Sequence, residues 1–139
     1  MLWVTRPRPH IDRTACAWLI RRFIDPDPAF GFALDAEGAL ALGGTPFDMV
    51  GVDLGHQEGR CSFETILHRY NLTQPALHEI GAMVHDADLD DEKFRSPEGP
   101  GLDAIVRGLG LVIQDDHELL AMTDRLYDGL YAWVRRTLP

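Results

Sequence analysis

Residues 1–26, MLWVTRPRPHIDRTACAWLIRRFIDP, set the order of elements from which the fold is built: a short apolar strand, a loop and an amphipathic helix. The strand is predicted over Leu2–Thr5, and the prolines of the following loop prevent a helix until about Arg13. Asp12 is expected to cap this helix, which ends at the Asp25-Pro26 step. A strand followed directly by a helix favours a domain that combines a sheet with helices.

Two further strands are predicted in the first half of the chain. Residues 30–34 and 49–54 have the apolar character of short strands, and a Gly- and Ala-rich stretch separates them. We therefore expect a small sheet of two to four short strands in the N-terminal half.

The second half of the chain is predicted to be helical. Ser62 suits the cap of one helix and Pro75 the first turn of the next, whereas residues 86–100 are expected to form an exposed loop. Two more helices are predicted over 102–109 and 116–137. The buried stripe of the last helix is expected at Leu119, Leu126, Leu130 and Trp133. Residues 1–139 thus predict one α+β domain, mostly helical, with about five helices.

The overall composition limits the classes of partner. The chain has 139 residues and a net charge of −9, which disfavours direct binding to nucleic acid or to an anionic membrane. No apolar run approaches the ~18 residues of a membrane span. We expect a cytoplasmic protein with two free cysteines, whose partner is small, cationic or another protein.

Metal-ligating residue types form two groups in the middle of the chain. His56, Cys61 and Glu64 lie within nine residues, and a second group of His85, Asp86 and Asp88 follows a predicted helix. Such ligands suit Zn, Mn or Fe(II), and a thiolate would favour Zn. The alternative remains open that the acids only support helix ends.

The arginines around the first helix have two interpretations. Arg6 and Arg8 before the helix and Arg13 in its first turn can offer guanidinium groups to an oxyanion such as sulfate, phosphate or chromate. Alternatively, they form ion pairs with the acidic residues of the chain. His10, in the same loop, is a candidate ligand or acid/base group.

Cys61 is the candidate for thiol chemistry. Its neighbour Arg60 and the helix that follows would lower the pKa of the thiol, whereas burial would cancel that activation. Cys16 lies between two alanines and is expected to be a small core residue.

Several motifs of this sequence are similar to those of one family. Trp3-Val4-Thr5-Arg6-Pro7, His10-Ile11-Asp12-Arg13 and Phe23-Ile24-Asp25-Pro26 resemble the opening of the chromate resistance protein family, specifically the C-terminal domain of its B-type regulator. Further resemblances occur at Thr45-Pro46-Phe47-Asp48, Gly55-His56, Arg60-Cys61-Ser62-Phe63-Glu64, Val84-His85-Asp86 and Tyr127-Asp128. The resemblance extends over nearly the whole chain.

This resemblance implies a bacterial cytoplasmic domain associated with chromate resistance and the stress response. Family members occur within a chromate-responsive regulator or beside a sulfurtransferase domain, and both are candidate protein partners. The family motifs include the metal-ligand candidates named above, but not His68. We therefore expect His56, Glu64 and His85 to bind a divalent metal (Fe, Mn or Zn), with Asp88 or His10 completing the site.

Two functions follow from these expectations. In the first, Arg6 and Arg13 hold a small oxyanion such as chromate near the metal, and Cys61 is a candidate electron donor in redox or detoxifying chemistry. In the second, the domain is a non-catalytic sensor of an oxyanion or metal and acts through a protein partner. A plain scaffold, stabilised by its buried polar residues, is a third interpretation.

Overall fold

The computed structural model describes residues 1–138, which form six α-helices and a three-stranded parallel sheet. The elements are β1 (Leu2–Thr5), α1 (Ile11–Leu19), a π-helical turn (Ile20–Ile24), β2 (Ala29–Phe32), α2 (Ala36–Ala41), β3 (Thr45–Pro46), α3 (Ser62–Arg69), α4 (Pro75–Asp88), α5 (Gly99–Val112) and α6 (Asp116–Thr137). The predicted α+β class, with a small sheet in the N-terminal half, is confirmed.

The sheet has the strand order β2-β1-β3, so the first strand lies in the middle. Successive side chains of a strand point to opposite faces of the sheet, so β1 contributes to a separate part of the core on each face. Trp3 belongs to the main core beside the helices, whereas Val4 packs with Ala39 of α2 in a smaller cluster. Both faces of the central strand are therefore covered.

Helix α6 is attached to α1 by buried polar contacts as well as apolar packing. The hydroxyls of Thr14 and Tyr127 are 2.8 Å apart, and Trp18 donates from Nε1 to Asp128 at 2.9 Å. The π-helical turn adds ion pairs from Arg21 to Asp124 and from Arg22 to Asp128. These contacts join the first helix to the last one.

The predicted element bounds are partly right. The strand at Leu2–Thr5, the stop at Asp25 and the range Asp116–Thr137 of the last helix are confirmed. The helix at Gly99–Val112 is longer than predicted at both ends, and α4 continues into the segment expected to be a loop. Helix α2 was not predicted.

Three sequence-based predictions are wrong. Residues 49–54 form turns and not a strand, because Asp48 has a positive φ of 50° and the chain folds back until Phe47 bridges Leu54. Asp12 does not cap α1, which begins at Ile11 without a side-chain cap. Trp133 is half exposed, because the buried face of α6 is instead formed by a neighbouring stripe. That face consists of Leu119, Leu120, Thr123, Asp124, Tyr127 and Val134.

No helix among residues 1–138 combines the length and apolar character needed to cross a membrane.

Candidate functional site

The candidate site lies at the carboxyl edge of the parallel sheet, between β1 and β3. Arg6 follows the end of β1 and Asp48 follows β3. Because β2 and β3 lie on opposite sides of β1, the strand order reverses at this central strand. Ligands of open parallel sheets bind in the crevice at such a point. The cleft here has a volume of about 350 Å³. It is lined by Arg6, Arg13, Asp48, Met49, Val50, Gly51, His56 and Asp88.

Asp12 connects this cleft to the start of α3. Its buried carboxylate accepts the backbone N–H of Ser62 at 2.7 Å and that of Phe63 at 2.9 Å. The same carboxylate is 3.1 Å from Nε2 of His56. Two free N–H groups at the N-terminus of α3 thereby find their acceptor in the side chain of Asp12.

His56 lies at the centre of the cleft among three carboxylates. Its Nε2 is 3.1 Å from Asp12, 3.2 Å from Asp88 and 3.7 Å from Asp48. Gly55 makes this placement feasible, because a Cβ at that position would be 2.7 Å from the carbonyl oxygen of Met49. Asp12, Asp48 and His56 thus offer ligand atoms that all lie within 4.8 Å of one another, and Asp88 approaches the same histidine nitrogen from a further segment.

The charges of this group strongly perturb its protonation. The hydrogen bond to Asp12, with support from the nearby carboxylates, raises the pKa of His56 to about 9. Burial and the charge of Asp12 raise the pKa of Asp48 to about 7. Burial and Asp12 also raise the pKa of Asp88. Bound protons therefore relieve the repulsion among these carboxylates, and a bound cation would relieve the same repulsion.

The two predicted oxyanion residues lie at this cleft. Arg13 is largely buried, with Nε 3.1 Å from Asp48, and Arg6 is exposed at the rim. Asp48 also accepts the hydroxyl of Ser62 at 2.6 Å. Arg8 instead donates its backbone N–H to Asp116.

A second group surrounds His85, which is completely buried. Nδ1 of His85 is 2.5 Å from Glu64, and Nε2 is 2.8 Å from Asp91. Burial opposes the charge of the imidazole, but the hydrogen bonds to both carboxylates raise its pKa. Asp91 and the neighbouring Asp86, which accepts from the backbone of residues 94 and 96, hold the segment 89–98 against α4.

Cys61 lies at the start of α3 with its thiol buried. It forms a capping box with Glu64, whose carboxylate accepts the backbone N–H of Cys61 at 3.0 Å. Burial and the negative charge of Asp12 raise the pKa of the Cys61 thiol far above its usual value. Burial likewise raises the pKa of Cys16. Of the two opposing effects considered for the Cys61 thiol, burial therefore outweighs the activation expected from Arg60 and the helix start.

The predicted metal ligands fall into two sets. His56 and Asp88 meet in the cleft, whereas Glu64 and His85 meet beside Cys61. Within residues 1–138, no group of three ligand atoms within 4.8 Å of one another contains both histidines. His10 immediately precedes α1, where partial burial of its imidazole and the charges of Arg107 and Arg13 lower its pKa.

Three members of these groups were not predicted as ligands, namely Asp12, which was expected only to cap α1, Asp48 and Asp91. Asp48 and Asp91 both lie in loops, and each loop brings its carboxylate close to the histidine of its group. A signal existed for Asp48, because it lies just beyond the carboxyl end of the short strand β3, after Phe47. No spacing rule pointed to Asp91, which lies in an acidic stretch.

Comparisons with known proteins agree on one family. A family model described as ChrB, C-terminal domain, matches residues 3–134. Protein ChrB of Cupriavidus metallidurans is 36% identical to this chain over 132 residues. The alignment covers 93% of this chain and 39% of that relative, so the chain spans about two fifths of the relative's length. No solved structure shows a significant match.

Proposed function

This chain belongs to the family of the ChrB C-terminal domain, the bacterial chromate-resistance type, and from this premise we propose that its cleft binds a divalent metal next to an arginine oxyanion site. His56, Asp88, Asp48 and Asp12 supply the ligand atoms. Arg6 and Arg13 bind the oxyanion, for which chromate is the candidate.

One observation carries this proposal: three carboxylates surround a single histidine nitrogen within 3.7 Å. Without a cation this arrangement is electrostatically costly, as the raised pKa values of Asp48 and Asp88 indicate. A divalent metal at Nε2 of His56 would replace the proton and neutralise the carboxylates. The donor set fits a metal for this reason.

The nature of the ligands limits the metal. One imidazole with several carboxylates suits Mn, Fe(II) or Zn, and Cys61, which would favour Zn, belongs to the other group. We therefore favour Mn or Fe(II). Such a metal, when bound, would supply a Lewis acid or a redox centre.

Arg13 connects the two halves of the proposed site. Its Nε contacts Asp48, so the guanidinium lies beside the proposed ligands, while Arg6 reaches the same cleft from the carboxyl end of β1. Guanidinium groups next to a metal suit an anion with several oxygens. Cys61 is a poor electron donor in this setting, because it is buried and its thiolate form is disfavoured.

The test is a calorimetric titration of the chelator-treated protein with Mn²⁺. Wild type should bind one ion, and His56→Ala and Asp88→Asn should each weaken binding by more than about tenfold, or about 1.4 kcal/mol. His68→Ala is the matched control, since His68 is exposed and outside both groups. Equal binding by His56→Ala and wild type would contradict the proposal. His85→Ala, which should bind normally, tests whether Glu64 and His85 form part of the site.

A second candidate function is a sensor, and a specific chain of contacts favours it. His56 contacts Asp12, which caps α3, and Glu64 of α3 contacts His85, which holds Asp91 of the exposed segment 89–98. Occupation of the cleft can thus alter a surface that a partner would bind, such as a regulatory or sulfurtransferase domain. Stoichiometric binding of chromate without turnover would favour the sensor over redox chemistry. A cytoplasmic setting is part of either proposal.

A further inference from the structure

A second cluster of ligand groups lies between α3 and α4, outside the cleft. Sγ of Cys61, a carboxylate oxygen of Glu64 and a ring nitrogen of His85 all lie within 4.8 Å of one another. Cys61 and Glu64 occupy the N-cap and N3 positions of α3, and His85 reaches them from the last turn of α4. Two helices therefore bring three different types of ligand together.

This cluster is closed to solvent. Cys61 and His85 are completely buried, and the side chain of Glu64 is 16% exposed. Phe94 packs against the imidazole of His85 edge to face, with ring centroids 5.1 Å apart. Ionisable groups in a protein interior are paired with one another or bind a metal, so this cluster differs from an acidic patch on the surface.

The second ring nitrogen of His85 gives independent support for a metal. Nε2 lies 2.8 Å and 3.1 Å from the two carboxylate oxygens of Asp91, whereas Nδ1 faces Glu64. A histidine that binds a metal almost always donates its other N–H to a carboxylate, a carbonyl or water, which fixes the tautomer and the orientation of the ring. Donation from Nε2 to Asp91 leaves the lone pair of Nδ1 directed at Glu64 and Cys61. Asp91 thus has the position of an outer partner of a metal ligand.

The types of ligand select zinc. Thiolate, imidazole and carboxylate are all established ligands of Zn²⁺, and a thiolate disfavours Mn²⁺ and Mg²⁺. The ligand group of the cleft consists instead of Asp12, Asp48 and His56, without a thiol. Three protein ligands leave a fourth position on zinc for a water molecule or another small ligand.

We propose that Cys61, Glu64 and His85 form a zinc site in which Asp91 orients the imidazole. When zinc binds, the thiol of Cys61 releases its proton to solvent and its sulfur coordinates the ion. Zinc also replaces the proton that joins Nδ1 of His85 to Glu64. The site shares no ligand with the cleft and does not rest on the function proposed for it, so the two proposals fail separately.

The test is a titration of the chelator-treated full chain with Co²⁺, which replaces Zn²⁺ and gives an intense near-ultraviolet charge-transfer band only when a thiolate binds it. Wild type should develop this band, and added Zn²⁺ should abolish it. Glu64→Gln and His85→Gln should each weaken the binding that produces the band by more than about tenfold. Cys61→Ser should lose the band and remain folded, because serine is a favoured N-cap residue and can accept the same backbone N–H of Glu64.

Two controls separate this site from the rest of the chain. Cys16→Ser should keep the band, because Cys16 is equally buried but belongs to none of the ligand groups found in residues 1–138. His56→Ala, which disables the cleft, should also keep it and should bind one Co²⁺ per chain. X-ray absorption at the zinc edge, which needs no variant, should show one sulfur ligand in zinc-loaded wild type.

Several results would overturn the proposal. They are a wild type without the band, a band that persists in Cys61→Ser, a band that disappears in Cys16→Ser, and zinc without a sulfur ligand. Loss of the band in His56→Ala would place the ion in the cleft and would also overturn a separate zinc site. Binding of Mn²⁺ by wild type tests only the cleft and should be unchanged in Cys61→Ser.

Discussion

The carboxylate of Asp12 accepts the backbone N–H of Ser62 at 2.7 Å, so a residue in the first turn of α1 caps the N-terminus of α3. This contact spans fifty positions and brings the loop after β1 to the helix that carries Glu64. It also fixes the carboxylate that orients His56. Asp12 therefore has a structural role at the start of α3 and a partner in the candidate site, His56.

Replacing Asp12 should destabilise the domain severely. Asp12→Ala leaves two buried N–H groups of α3 without partners, and we expect a loss of about 3 kcal/mol in the free energy of unfolding. Urea denaturation measures this loss. The control is Asp35→Ala, which removes an exposed helix cap and should cost about 1 kcal/mol or less. Equal losses in the two variants would mean that Asp12 is an ordinary cap.

The Asp12 contact also shows what the sequence can and cannot predict. Elements determined by local signals were predicted well: β1 from its apolar run and α4 from Pro75 in its first turn. Asp12 is of a residue type that commonly caps the helix directly after it. Its actual partner is a different helix, α3, fifty residues away. Only the tertiary fold determines which helix an acid caps.

The prediction of a strand over residues 49–54 was wrong for a related reason. Their apolar side chains resemble a strand, but the positive φ of Asp48 redirects the chain at that point. Met49 and Val52 are still buried, in the small cluster beside α2. The site was predicted to the extent that it contains motif residues such as His56 and Asp88. The separation of the two histidine groups depends on the placement of α3 and α4, for which a single sequence has no signal.

The stability of the metal-free protein should decrease as pH rises. Folding raises the pKa of His56 from 6.5 to about 9, so the stability that it adds below pH 6.5 is lost as pH rises through 9. Folding also raises the pKa of Asp48 to about 7, which adds a decrease between its unfolded value near 3.8 and pH 7.

Because His56 is nearly half exposed, we expect its contribution to be about 1 to 2 kcal/mol after solvent screening. Chemical denaturation at a series of pH values in the presence of a chelator measures it. His56→Gln should flatten the decrease above pH 6.5, and Asp48→Asn should flatten the decrease below pH 7. A stability that rises over this range in wild type would refute the assignment.

Both cysteines should resist thiol reagents in the folded protein. Cys61 and Cys16 are completely buried, and burial raises the pKa of each thiol. We expect alkylation at neutral pH to proceed only as fast as the protein opens, at least about a hundredfold more slowly than for a free thiol. Val50→Cys, at a position that is 94% exposed, is the control. Rapid alkylation of Cys61 would revive the prediction that it is reactive.

His85 should hold the segment 89–98 in place. His85→Gln removes the charged contacts to Glu64 and Asp91, and we expect faster hydrogen exchange in this segment together with a loss of about 3 kcal/mol in stability. His78→Gln is the matched control, because His78 is exposed and its side chain forms a hydrogen bond with the carbonyl of Leu72 and not with a carboxylate. If exchange in residues 89–98 is the same in both variants, His85 does not connect α3 to this segment.

The most direct test of the central claim is elemental analysis of protein purified without an affinity tag or chelator. The cleft of His56, Asp12, Asp48 and Asp88 predicts close to one Mn or Fe per chain in wild type and in His68→Ala, and almost none in His56→Ala. A wild-type protein that carries no metal and takes up none when it is added would contradict the account. The same metal content in His56→Ala would also contradict it, because the ion would then be bound elsewhere.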